Sequence, residues 1–159
     1  MKELIPNEIL LGCAKQMLAE GHTVTLRVAG YSMRPLLEHR RDSVVLAAAE
    51  GCKLHDVVLA EIEPDHYVLH RVVALQGENV TLMGDGNLYG CEHCLRGDVV
   101  GVVTNFLRRG NDYGCDNRLV RCYVAVWLRM RTIRRWLLLG YRIQLKMGKL
   151  ISGKKENLS

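Results

Sequence analysis

The sequence contains no stretch of 18 apolar residues, so it offers no standard membrane-spanning helix. It has no internal repeat and no low-complexity tract of the kind that builds fibres and scaffolds. No secretory leader is expected, because Glu3, Glu8, Lys15 and Glu20 interrupt the apolar positions of the first twenty residues. No export is expected, and the expected location is cytoplasmic. Acids are nearly absent from one region. Residues 118–159 hold 11 Lys/Arg and a single acid, Glu156, for a net charge of +10. Residues 1–117 hold 11 Lys/Arg and 16 Asp/Glu, for a net of −5. Two parts of such opposite charge face different partners. What is present is ordinary: 159 residues, 48% hydrophobic and 25% charged, fit one globular domain with a tail and exclude a disordered chain. The six cysteines of an unexported chain read as thiols rather than disulfides.

Residues 7–20 read as a helix, with Asn7 as a candidate N-cap, Leu10, Ala14, Met17 and Leu18 at helical spacing, and Gly21 as the stop. The period then changes to two in Thr23-Val24-Thr25-Leu26-Arg27-Val28. Further β-type runs cover Ser43–Ala47, Asp56–Ile62, Tyr67–Ala74, Asn79–Met83 and Asp98–Phe106, with Gly, Asp, Asn and Pro in the gaps. The spacing predicts a mainly β domain, a coiled antiparallel sheet or partial barrel, with an N-terminal helix. The organisation reads as 1–22 helix, 23–107 core, 108–117 linker, and 118–159 basic C-terminal helix and tail. In that tail Arg131, Arg135, Arg142, Lys146 and Lys149 are spaced four, seven, four and three apart, which puts them on one side of a helix. Trp127, Ile133, Trp136, Leu137 and Tyr141 supply apolar surface elsewhere on it.

The densest chemical signal is Gly30-Tyr31-Ser32-Met33-Arg34-Pro35, directly after the first strand. A serine held by the end of a strand has a free hydroxyl and little freedom left to lose, which suits a nucleophile. The same Ser-X-X-Pro pattern also suits a helix N-cap with proline in the first turn. A hydroxyl needs a base. His70, within Tyr67-Val68-Leu69-His70-Arg71-Val72-Val73, is held firmly on a strand and is suited to accept a proton; taken alone, it fits a core histidine bonded to a backbone carbonyl better. His22, His39, His55, His66 and His93 lie in loop-like surroundings and are expected to be solvated. In Gly84-Asp85-Gly86-Asn87, Asp85 could orient an imidazole, or simply belong to a hairpin turn.

The three segments together resemble the serine peptidases that include signal peptidase I and the LexA-like self-cleaving repressors. The resemblance covers residues 23–104, including Asp42, His55-Asp56-Val57-Val58 and Gly97-Asp98-Val99-Val100. It implies a LexA/signal-peptidase type of sheet and a serine endopeptidase needing no cofactor. The base position reads His70, not lysine, which resembles the histidine-using branch. By the same resemblance Ser32 is the nucleophile, His70 the base and Asp85 a third member. Gly30, Tyr31 and Met33 are then oxyanion and substrate-binding residues. Gly30 stands where many signal peptidases have a serine donor, so the oxyanion would rest on backbone N–H groups such as that of Ser32. The branch's additional aspartate is matched by Cys91, with Glu92 a substitute. The anchor of signal peptidases and the DNA-binding domain of the repressors are not read in the chain. The alternative class is a weak or inactive peptide-binding or regulatory module on the same fold.

Cys91-Glu92-His93-Cys94 looks like half a zinc site, but Cys115 and Cys122 have the wrong spacing to complete it, so no metal is expected. Cys13 and Cys52 read as apolar packing residues. Expected partners are a peptide or protein substrate and an anionic membrane surface met by residues 118–150, with peripheral attachment at its inner face. Docking of the tail on the acidic body is the competing reading. Nucleic acid is not expected as the main partner, because the body repels phosphate.

Overall fold

The computed structural model describes residues 7–130 and 133–156. The first helix, α1, spans Asn7–Ala19, so Asn7, the candidate N-cap, is the first residue of the helix itself; its side chain lies outside the described residues. Gly21, at φ +83°, closes it with the left-handed turn that glycine adopts at least cost. Ala14 and Leu18, four apart and buried, face the sheet.

Eight strands follow: β1 (Val24–Arg27), β2 (Ser43–Ala48), β3 (Val57–Glu63), β4 (His66–Gln76), β5 (Asn79–Met83), β6 (Glu92–Leu95), β7 (Val99–Arg108) and β8 (Asn111–Gly114). They form one open sheet in the order β1-β2-β7-β3-β4-β5-β6, with β8 paired to β7, and every pairing is antiparallel. Register shifts at Val45/Leu46, Leu59/Ala60 and Val72/Ala74 bend and coil it. The central strand β3 is buried on both faces. Val57 and Leu59 join one apolar cluster, with Leu18, Met33, Leu37 and Phe106. Val58 and Ala60 join the other, with Val72, Val80, Leu82 and Val99. On β7, a Cβ at Gly101 would stand 2.9 Å from Leu18 Cδ1, so glycine lets α1 sit directly on the strand.

Two expectations are corrected. Residues 108–117 are not a linker: β7 and β8 form a hairpin whose turn residues, Arg109 and Gly110, both have positive φ (49° and 82°). That is the two-residue turn matching the twist of paired strands, and its polar residues give it the composition of a linker. The basic tail is two helices, not one: α2 (Arg118–Arg129), capped by Asn117 accepting the Leu119 N–H at 2.8 Å, and α3 (Arg134–Glu156). No Gly or Pro marks the break between them. Arg131 lies outside the described residues, as does the side chain of Lys149. All six cysteines are free thiols; Cys52 is buried as expected, whereas Cys13 is exposed on the solvent side of α1.

Candidate active site

Residues 28–42 form a loop closed at its neck, where the Val28 N–H donates to Asp42 O (2.9 Å) and the Arg40 N–H donates to Val28 O (2.8 Å). Asp42 is fully buried and braces the loop from inside. Its carboxylate accepts from the Glu38 N–H at 2.9 Å and from Arg41 at 2.8 and 2.7 Å. Residues 31–37 are consecutive turns, with Leu37 N–H to Met33 O at 2.9 Å, and no helix starts there. Ser32 is therefore not a helix N-cap. It is half-buried, while Met33, Leu36 and Leu37 root the loop in the core.

The turn Gly84–Asn87 lies against this loop. The Gly86 N–H donates to Ser32 O at 2.6 Å. A Cβ at Gly86 would meet Tyr31 O at 2.9 Å, and one at Gly84 would meet Ser32 O at 2.5 Å and Ser32 Cβ at 3.0 Å. Both glycines are thus required by close approach of the two backbones.

Strand register then relates Ser32 to His70. The β4–β5 ladder ends where Arg71 pairs with Met83, and one further step along the same register would set His70 opposite Gly84. Opposed residues of antiparallel strands share a face, with Cβ atoms about 5 Å apart. Ser32 occupies the space that the missing Gly84 Cβ leaves on that face. Leu82 pairs with Glu92, two steps along, which puts Glu92 on the same side. His70, buried at 5% exposure, has its Nδ1 2.9 Å from Glu92 Oε2. A carboxylate accepts from Nδ1–H, and in the neutral ring that tautomer leaves Nε2 as the acceptor. His70 and Glu92 thus meet on one face of the sheet, and Ser32 packs against Gly84 beside them; among the described residues no hydrogen bond joins the Ser32 hydroxyl to His70.

The third member differs from the expected one. Asp85 does not orient His70; both its oxygens are held by Arg71, at 2.8 Å from Nε and 2.6 Å from the terminal nitrogen. His70 and Arg71 are neighbours on β4 and point to opposite faces. Arg71, 2% exposed, needs a countercharge on its own side, and Asp85 supplies it. Arg71 donates also to His55 O at 2.8 Å, and Trp127 of α2 donates to Asp85 O at 3.0 Å. The His70 partner, Glu92, sits on the short polar strand β6, which the hydrophobic pattern did not reveal; its only signal was its place beside Cys91.

The expected oxyanion residues divide. Gly30 has φ +90° and gives its N–H to His39 Nδ1 at 2.9 Å, so that donor is already engaged. His39 is accordingly part of the loop rather than a solvated residue. Among the described residues none engages the Ser32 N–H. Met33, 2% exposed, belongs to the core, so its side chain does not meet substrate. Tyr31 is 56% exposed, with the Arg34 guanidinium 4.0 Å above its ring. Arg34 pairs with Glu38, which in turn accepts from Tyr141 of α3 at 3.1 Å.

A groove of about 300 Å3 runs between β1 and β4. Leu26, Val28 and Ala29 form one wall, Tyr67 and Leu69 the other, with Leu10 and Leu11 of α1 alongside. Its walls run in sequence into Ser32 and His70, and among the described residues β1 pairs only with β2 and forms an edge of the sheet. A larger space of about 720 Å3 under α2 touches neither residue. Among the described residues no group of three or more His, Cys, Asp or Glu is placed to hold a metal ion. On β6 the alternation sends Glu92 and Cys94 one way and His93 the other, and burial pushes the Cys94 thiol up to about 11. No helix among the described residues is long and apolar enough to cross a membrane. No protein-family model, curated protein or solved structure matches the chain.

Proposed function

We propose that this protein is a serine endopeptidase of the signal-peptidase and LexA-like kind, on that type of sheet, with Ser32 as nucleophile, His70 as base and Glu92 in the orienting role first given to Asp85. The observation that carries the reading is Ser32 packed against Gly84, one step beyond the rung that pairs Met83 with Arg71, while His70 beside Arg71 is bonded to Glu92 at 2.9 Å. In the mechanism an extended peptide adds to the free edge of β1 and lays apolar side chains into the groove. His70 Nε2 takes the Ser32 proton as Oγ attacks the scissile carbonyl, and the Ser32 N–H faces the developing oxyanion. Collapse of the tetrahedral intermediate releases the amine, which takes the proton from His70. Water, deprotonated by the same imidazole, then frees the acyl-serine.

The engagement of the Gly30 N–H by His39 favours a second reading, a peptide-binding module with little turnover, because it leaves the oxyanion fewer donors. One experiment separates them. The full chain is incubated with a peptide library and with a fluorophosphonate probe. Cleavage and labelling of Ser32, both lost in Ser32→Ala and His70→Ala, support the enzyme. Full cleavage by both variants ends that proposal, and peptide binding without acylation or cleavage selects the module.

A further inference from the structure

The outward side of α3 belongs to neither the sheet nor the groove. At about 100° per residue, Leu138, Tyr141 and Leu145 fall on one side of the helix. That side is docked: Leu138 is 4% exposed, Leu145 is half-buried, and Tyr141 bonds to Glu38. On the opposite side stand Trp136, Leu139, Ile143 and Met147, exposed at 70%, 48%, 50% and 56%. Between the two lie Arg135, Arg142 and Lys146, all exposed. Among the described residues none of these three cations has an acidic partner. A docked helix ordinarily turns polar residues to water. This one turns a tryptophan-led apolar stripe outward and lines one flank of it with unpaired positive charge.

We propose that this face lies on an anionic membrane surface, its apolar stripe sunk to the level of the acyl boundary and Arg135, Arg142 and Lys146 among the headgroups. Tryptophan is suited to that depth because its ring is apolar and its N–H is polar. The basic flank gains from the negative potential of such a surface. A second copy of the chain is a poorer occupant, since it would bring the same three cations against their equals. Nucleic acid would satisfy the cations but leave the apolar stripe in water, and the body, at net −5, repels it. The inference is independent of what Ser32 does.

The full chain is mixed with phosphatidylcholine vesicles, alone or containing about a third phosphatidylserine. It should sediment with the anionic vesicles only, and less as salt is raised. Brominated acyl chains should quench its fluorescence, and the quenching should vanish in Trp136→Phe, since Trp127, the other tryptophan, is buried. Arg135→Glu, Arg142→Glu and Lys146→Glu together should weaken partition roughly a hundredfold. Ile143→Ser with Met147→Ser should also release the protein, with far-ultraviolet circular dichroism unchanged. The proposal is overturned if anionic vesicles are not bound at low salt, or if either variant set binds as tightly as the parent. It is also overturned if binding proceeds without quenching at Trp136, or if duplex DNA displaces the vesicles.

Discussion

Replacing Asp85 with alanine separates its observed role from the one first expected of it. The Arg71 guanidinium, with 3% of its side chain exposed, makes two of its three described bonds to Asp85, at 2.8 and 2.6 Å, and the third to His55 O. Asp85→Ala leaves that charge buried with one carbonyl for company. Breaking a buried pair from one side costs about 3–5 kcal/mol, a large share of the roughly 5–15 kcal/mol that holds a domain together. At about 2–4 °C per kcal/mol for a chain of this size, the melting temperature should fall by roughly 6–20 °C. Urea unfolding should show a lower midpoint at unchanged slope. Removing both partners tests the cause: Arg71→Met with Asp85→Leu, which replaces the pair with apolar groups, should regain most of the loss. An Asp85→Ala protein within about 1 kcal/mol of the parent would refute the reasoning. So would one that keeps its stability and loses only peptide cleavage, because that would return Asp85 to His70.

Glu92 should behave in the opposite way. Its side chain is 30% exposed, so Glu92→Gln should leave the melting temperature nearly unchanged while lowering kcat about a hundredfold or more; unchanged turnover removes Glu92 from the site. The loop that carries Ser32 should confer an acid limit on stability. Burial alone would raise the Asp42 pKa, but Arg41 and the Glu38 N–H more than offset it and hold the carboxyl below its usual range. Glu38 is likewise held low, Arg34 and Tyr141 outweighing burial. Both groups take a proton more readily in the unfolded chain. Their contribution is complete above the ordinary carboxylate pKa of about 4, and is lost as pH falls through their lower folded values. Acid unfolding of Asp42→Asn should show a shallower limb; a limb parallel to that of the parent contradicts the assignment.

The strands that carry the core were legible as short apolar runs set off by Gly, Asp, Asn and Pro. Val57 to Ala60 and Tyr67 to Val72 announce themselves by β-branched and aromatic residues, and Gly21 ends α1 where its left-handed conformation is needed. The strands β6 and β8, four residues each and polar, carry no such pattern; they exist because a longer neighbour offers them a ladder. That is why Glu92 was visible only as a substitute. The misplacement of Asp85 has a sharper cause. Adjacent residues of one strand point to opposite faces, so Asp85 could have served His70 or Arg71, and only the bulge and register of β4 against β5 decide between them. The same ambiguity applies to Ser32 and Met33, one at the rim and one in the core although they are neighbours. Glycine at 84 and 86 was read as turn chemistry; what fixes it is the backbone of residues 31–34 pressed against it, a contact between segments some fifty positions apart.

For the tail, docking and surface binding looked like rivals in the sequence because both draw on the same aromatics. The structure divides those aromatics between two sides. Trp127 reaches the carbonyl of Asp85 and Tyr141 reaches Glu38, while Trp136 faces away from both. Docking therefore consumes none of the outward stripe. It also ties the helices to the two segments that frame the candidate nucleophile. Tyr141, Glu38, Arg34 and Tyr31 form one chain of contacts from α3 to the residue before Ser32, and Trp127 braces the turn that packs on Ser32 itself. Deleting residues 118–159 would then disturb both the proposed membrane face and the geometry around Ser32, and loss of either proposed activity in such a truncation would have two explanations. Substitutions confined to the solvent side of α3 change one and spare the other, so they are the ones that tell anchoring from catalysis.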